Sequence, residues 1–223
     1  MSAALEQHLF DVRRRVDAVC AEPVLLVAVS KRQPAAAVRN LAQFGQKDFG
    51  ENYVQEALTK MRELADLGLV WHLIGPLQSN KCREVAENFD WLQTLDRERL
   101  IAPLARHRPA DRHPLNVLIQ VNIDDEASKS GVAPEAIASL AAAVSESPRL
   151  RLRGLMSIPR PSDDLQVRRA SFRALHGCFN HLRLAFAQID TLSIGMSEDF
   201  ELAIEEGANL VRVGSAIFGA RSY

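Results

Sequence analysis

Lys31 ends the apolar run Val24-Leu25-Leu26-Val27-Ala28-Val29-Ser30-Lys31, just ahead of Arg32-Gln33-Pro34. A valine-rich stretch of this kind reads as a strand buried on both faces, and the proline beyond it opens a helix. The amine therefore sits at a strand's carboxyl end, where parallel α/β folds place their ligands. An ammonium partly withdrawn from water there is pushed below its free pKa of roughly 10.4 and becomes a candidate Schiff-base nucleophile. A solvated loop lysine is the alternative.

Two later stretches carry matching chemistry. Gly195-Met196-Ser197-Glu198-Asp199-Phe200 and Gly214-Ser215-Ala216-Ile217-Phe218-Gly219 each follow a short apolar run. Each joins a glycine, which lets backbone approach closely, to a serine at the start of a helical stretch whose unpaired N–H groups can face an anion. Side by side, two such ends can hold a phosphate. Alone, Ser197 reads equally as a helix N-cap, with Glu198 and Asp199 complementing the helix dipole. Arg212, two residues before Gly214, is a charge inside an apolar strand, where an unpaired guanidinium is costly. It needs an acceptor, either a structural carboxylate or a ring nitrogen or carboxylate of a ligand. Glu51-Asn52-Tyr53 and His72 add polar groups near the same strand ends. His176 and His181 lack the i, i+4 spacing of a zinc motif, so no metal is expected.

The elements must bring residues so distant in sequence to one rim. An opening helix over 1–20 has Leu5, Leu9, Val12, Val16 and Val19 on one face. Strands are then expected near 24–30, 48–53, 69–75, 91–94, 115–122, 152–158, 191–194 and 210–213, with helical stretches between them. About eight strand–helix alternations without a compositional break predict an α/β fold, a single (β/α)8 TIM-type barrel over 1–223 with an extra N-terminal helix. A doubly wound sheet is the alternative, lowered by the absence of G-x-G-x-x-G after the first strand.

Composition limits the partners. With 27 basic and 28 acidic side chains the net charge is -1, which leaves no global field for nucleic acid or an anionic membrane. Cys20, Cys82 and Cys178 are odd in number and far apart, so no disulfide framework is indicated and a reducing cytoplasm fits. The amino terminus reads as a helix, not a signal peptide, and no apolar run approaches the roughly 18 to 20 residues of a membrane span. A monomer is expected.

A lysine able to form an imine, a phosphate site and an arginine for a ring nitrogen together describe a pyridoxal 5′-phosphate (PLP) pocket. The chain resembles the pyridoxal phosphate homeostasis proteins (the YggS/PROSC type), which share the barrel domain of the alanine racemase class. The likeness rests on Val29-Ser30-Lys31, Phe49-Gly50-Glu51-Asn52-Tyr53, His72-Leu73-Ile74-Gly75-Pro76-Leu77-Gln78-Ser79-Asn80-Lys81, Ser128-Lys129-Ser130-Gly131, Gly154-Leu155-Met156, and the two glycine–serine stretches with Arg212. It implies that Lys31 carries PLP as a Schiff base, that Ser197, Gly214 and Ser215 hold its phosphate, and that Arg212 faces the pyridine nitrogen. Asn52 and His72 are expected among the cofactor contacts. Ser215 departs from the family's usual threonine but keeps the hydroxyl, and Thr94 stands where a serine is common.

The resemblance implies a protein that stores, buffers or delivers PLP, with PLP-dependent apo-enzymes as recipients, and no catalysis of its own. An arginine at the ring nitrogen disfavours ring protonation and weakens the ring as an electron sink. A weak amino-acid racemase is the alternative, but it needs a second acid/base, and the only tyrosines are Tyr53 and Tyr223. A sugar-phosphate isomerase would leave Lys31 idle and would need Glu51 as its base.

Overall fold

The computed structural model describes residues 2–126 and 130–219. Eight parallel strands close into a barrel in chain order: β1 (Leu25–Val29), β2 (Asp48–Glu51), β3 (Val70–Leu73), β4 (Trp91–Leu95), β5 (Leu115–Gln120), β6 (Leu150–Met156), β7 (Thr191–Ser193) and β8 (Leu210–Val213). Closure is made by β1 against β8, with Leu25 beside Leu210 and Ala28 beside Val213. The helices are α1 (Ser2–Val19), α2 (Ala35–Gln43), α3 (Val54–Glu63), α4 (Cys82–Asn88), α5 (Ile101–His107), α6 (Ile137–Ser145), α7 (Leu165–Ala185), α8 (Phe200–Glu205) and α9 (Ser215–Phe218). All eight strands lie where the apolar runs put them, and the expected TIM-type barrel with an extra amino-terminal helix is the observed fold. That helix packs beside α2, α8 and α9. His8 Nδ1 lies 3.0 Å from the Ile217 carbonyl oxygen, and Arg15 Nε donates to Glu201 at 2.6 Å.

Side-chain alternation divides the barrel into two environments. Leu26, Ala28, Phe49, Trp71, Leu73, Leu92, Val117, Leu192, Val211 and Val213 face outward and join the core shared with the helices. Phe49, Phe89, Phe172 and Phe200 are fully buried there, each contributing roughly 1.5–3 kcal/mol by leaving water. The alternate positions face the barrel interior, which is mixed. Trp91, Leu118 and Met156 form a small apolar cluster, while His72, Gln93, Ser193 and Arg212 are buried polar groups.

The turn after β1 is held from outside the barrel. Arg32 has a left-handed backbone, φ 63°, which is strained for a residue with a side chain. Lys60 on α3 is buried and donates to the Ser30 carbonyl oxygen at 2.6 Å and to Glu51 and Glu56 at 2.7 Å each. Ser30 Oγ donates to the same Glu51 oxygen at 2.6 Å, and the Arg32 N–H donates to Glu56 at 2.5 Å. One ammonium thus clamps the backbone on both sides of Lys31. Burial pushes the Glu51 carboxyl above its ordinary value of 4.5, and Lys60 and Ser30 oppose that shift.

Lys60→Met should destabilise the protein by about 3–5 kcal/mol at neutral pH, because Glu51 is left buried without its counter-ion. The loss should shrink on acidification. A raised carboxyl keeps in the folded state a proton that the unfolded chain releases, so stability falls as pH rises from 4.5 to the folded value. Removing Lys60 widens that window upward. Urea unfolding of both proteins at several pH values between 5 and 7 reads the difference, and a pH-independent gap would contradict it.

Candidate functional site

At the carboxyl ends of the strands lies a cavity of about 700 Å³. Its floor and walls follow from the inward rows. On the β1 row, Val27 and Val29 are followed by Lys31, and on the β2 row Gly50 is followed by Asn52, so period two carries both polar side chains to the mouth. Lys31, Asn52, Ser197, Arg212, Gly214 and Ser215 all line this one cavity. Six of the seven expected site residues, from the ends of four different strands, therefore share one concave surface.

The ends of β7 and β8 are stitched together as the paired glycine–serine stretches required. The Ser197 hydroxyl oxygen accepts from the Gly214 N–H at 3.1 Å and the Ala216 N–H at 3.3 Å. Gly195 has φ 95°, and a side chain there would collide with Ala203 and the Phe200 backbone, so the loop can turn this tightly only with glycine. Asn52 is half-buried at the end of β2, and its Oδ1 is a buried acceptor with no hydrogen-bond partner among the described residues.

Arg212 is 4% exposed. Its two terminal nitrogens donate to Ser193 Oγ at 2.6 Å and to the Ser157 carbonyl oxygen at 2.9 Å. Among the described residues it forms no ion pair, so the structural carboxylate that could have explained it is not there. Burial pushes the guanidinium down to about 10, with Asp199 holding it up, and it remains a cation at neutral pH. A buried cation on a cavity wall, bonded only to neutral groups, is suited to a ligand acceptor.

His72 stands apart from these six. It does not line the cavity; it is fully buried inside the barrel, stacked on Trp91 with ring centroids 5.3 Å apart. Its nitrogens meet Asp48 and Gln93, each at 3.0 Å. The reason is depth along the β3 row: Ile74, two residues on, takes the cavity position. Glu51 also moves. It faces outward to Lys60 rather than into the mouth, which removes the only base the isomerase reading had. Tyr53 starts α3 and is 53% exposed. Ser128 and Lys129 of the Ser128–Gly131 motif, and Tyr223, lie outside the described residues.

Sequence reasoning passed over Gln93, Ser193 and Lys60. A signal existed for the first two: each is a polar residue within a short apolar strand, at a position of the kind that made Arg212 notable. Lys60 stands four residues after Glu56 on α3, an ordinary helical ion-pair spacing that hides its buried role. Ile158, Arg160 and Arg168 also contribute to the cavity wall.

Comparison with known proteins agrees with this fold. Residues 3–222 match the family described as alanine racemase, N-terminal domain. The pyridoxal phosphate homeostasis protein of Pseudomonas aeruginosa is 52% identical over 214 residues, covering 95% of this chain and 92% of that one. The protein of the same name from Escherichia coli K12 is 49% identical over 228 residues, covering 98% and 97%. The solved structure of PipY from Synechococcus elongatus with PLP bound superposes with a TM-score of 0.86 at 35% identity, covering 96% of this chain and 100% of PipY. With this fold, this cavity and relatives of this identity along nearly its whole length, the chain belongs to the pyridoxal phosphate homeostasis proteins, within the family of the alanine racemase N-terminal domain.

Proposed function

We propose that the 223 residues act as one PLP-binding barrel domain, which takes the cofactor through Lys31 and serves its storage, buffering or delivery in the cytoplasm. The observation that carries this reading is the shared cavity, where an amine, a buried cation without a carboxylate, and a hydroxyl drawn to two backbone N–H groups converge. The bound PLP of PipY and the names of the bacterial relatives support the same ligand.

The residues fit the group chemically. Bound PLP supplies an aldehyde, which condenses with a lysine amine and releases water. Ser197 and Ser215 offer hydroxyl donors for a phosphate, with the Gly214 N–H held against Ser197 beside them, and Arg212 presents a donor to a ring nitrogen. Asn52, with its unpartnered buried oxygen, has the capacity to accept from a ring substituent. Ile74 and Ile158 exclude water on either side.

Holding suits these residues better than turnover. A guanidinium at the ring nitrogen keeps that nitrogen unprotonated, by repulsion of a second positive charge. Glu51 faces the helices, and Tyr53 faces solvent, so neither supplies the acid/base that racemisation needs. Transfer to PLP-dependent apo-enzymes is the partner reading that follows, with a monomeric donor. Among the described residues, no helix is long and apolar enough to cross a membrane.

Purified protein mixed with PLP should develop a visible absorption band that borohydride fixes on Lys31, located by peptide mapping. Lys31→Ala should lose the adduct entirely; an undiminished adduct would overturn the assignment and direct attention to Lys81 and Lys129. Ser197→Ala should weaken PLP binding by roughly tenfold or more while leaving pyridoxal, which has no phosphate, within a factor of about two. Equal losses for both ligands would remove Ser197 from the phosphate site. An added apo-enzyme should speed departure of PLP beyond its rate in buffer, and an unchanged rate would count against delivery.

A further inference from the structure

Arg212 is one end of a chain of side chains that crosses the barrel interior. Its guanidinium donates to Ser193 Oγ at 2.6 Å, and Ser193 Oγ donates to Gln93 Oε1 at 2.7 Å. Gln93 Nε2 lies 3.0 Å from His72 Nδ1, and His72 Nε2 lies 3.0 Å from Asp48 Oδ1. Ser193, Gln93 and His72 are all fully buried. Asp48 opens β2, at the end of the barrel opposite the cavity, and its side chain is 19% exposed. There it borders a second hollow with Arg13, Asp17 and Lys47.

The two ends force the direction of every link. Arginine has only donors, so Ser193 must accept from it and spend its own hydrogen on Gln93. The Gln93 carbonyl is then occupied, which leaves its amide to donate to His72. Nδ1 is therefore bare, Nε2 carries the hydrogen, and that hydrogen meets a carboxylate, which only accepts. Reversing any one link would set two donors or two acceptors against each other in the barrel interior, where each unmet group is costly.

We propose that Ser193, Gln93, His72 and Asp48 are positioning residues for Arg212, acting as a one-directional hydrogen-bond chain that fixes which edge of the guanidinium meets the cavity. With no ion pair among the described residues, Arg212 takes its hydrogen-bonded orientation from Ser193 and the Ser157 carbonyl. The rotor of Ser193 is set by Gln93, and Gln93 is kept from flipping by His72, whose tautomer Asp48 selects. A hydrogen-bond acceptor at the base of the barrel thus anchors a cation on the cavity wall. The functional readout rests on the PLP reading above.

The test measures the PLP dissociation constant by equilibrium dialysis and the absorption maximum of the bound cofactor, with circular dichroism melts alongside. Asp48→Ala and Ser193→Ala should each raise the dissociation constant roughly fivefold and shift the band. Asp48→Asn, which still accepts from His72, should restore both values, as should Ser193→Thr, which keeps the hydroxyl. An Asp48→Ala protein with the wild-type constant and band overturns the proposal, and so does an Asp48→Asn protein as defective as Asp48→Ala. If Asp48→Ala fails to fold, the serine pair decides: Ser193→Ala and Ser193→Thr binding alike overturns it. Absence of a borohydride-fixed adduct in the wild-type protein overturns the cofactor reading and this inference with it, whereas a normal adduct with indifferent variants overturns this inference alone.

Discussion

A guanidinium buried inside a closed barrel, in no ion pair among the described residues, is the constraint on which the rest of the interior depends. Arg212 cannot be left bare at 4% exposure, since an uncompensated buried cation costs several kcal/mol. The barrel meets that demand with neutral acceptors, a serine hydroxyl and a main-chain carbonyl. Each has consequences deeper in the fold. The hydroxyl must pass its own hydrogen on, which explains why Gln93 and His72 occupy interior positions that a barrel ordinarily fills with branched apolar side chains. The carbonyl belongs to Ser157, which is tied to the residue just after β5 because its own hydroxyl donates to the Val121 carbonyl oxygen at 2.7 Å.

Period-two alternation lets the same strands carry two separate polar systems. Inside, the chain from Arg212 to Asp48 runs across β8, β7, β4, β3 and β2. Outside, Glu51, Lys60, Glu56 and Ser30 hold the turn on which Lys31 stands. β2 serves both, with Asp48 and Gly50 on the inner face and Phe49 and Glu51 on the outer. The division keeps opposite charges apart: Glu51 never competes with a cavity ligand for Arg212 or Lys31, because the strand backbone stands between them. It also explains why Gly50 is glycine. An inward side chain there would press on Ile74 at 3.0 Å and Val27 at 3.1 Å, in the row just below the cavity.

The barrel was legible in the sequence because its evidence is local. Valine- and leucine-rich runs recur between amphipathic stretches, and no long-range knowledge is needed to read eight of them as strands. The cavity residues were legible for a related reason: Lys31, Asn52, Ser197, Gly214 and Ser215 follow strand ends directly, and a strand's carboxyl end has one fate in this fold. His72 shows where that reasoning stops. Its strand and its inward face were both readable, but its depth was not, because depth is set by register between strands, here Gly50 beside His72 and His72 beside Trp91. Glu51 fails differently. It sits at a strand end, yet one step along the chain turns it to the helices, where its partner Lys60 waits on an element the run of residues does not point to. Ser193 and Gln93 are 100 positions apart, and neither has a local feature that names the other.

The two networks bear unequally on chemistry. The outer clamp fixes where the Lys31 backbone is, and so how far the amine reaches into the cavity. The inner chain fixes what the amine's ligand meets on the neighbouring strand, β8. A cation whose every hydrogen-bonded neighbour is already committed in one direction has no low-energy way to rotate or to hand over a proton, since either change would have to reverse Ser193, Gln93 and the His72 tautomer together. Such a group is a fixed electrostatic boundary, not a participant in proton transfer. In the reading proposed above, a cavity with a fixed cation from β8 beside an amine from the end of β1 fastens a phosphorylated aldehyde and releases it by the same reversible condensation. The fixed cation, and not a want of carboxylates, carries that reading, since Glu198 and Asp199 line the same cavity.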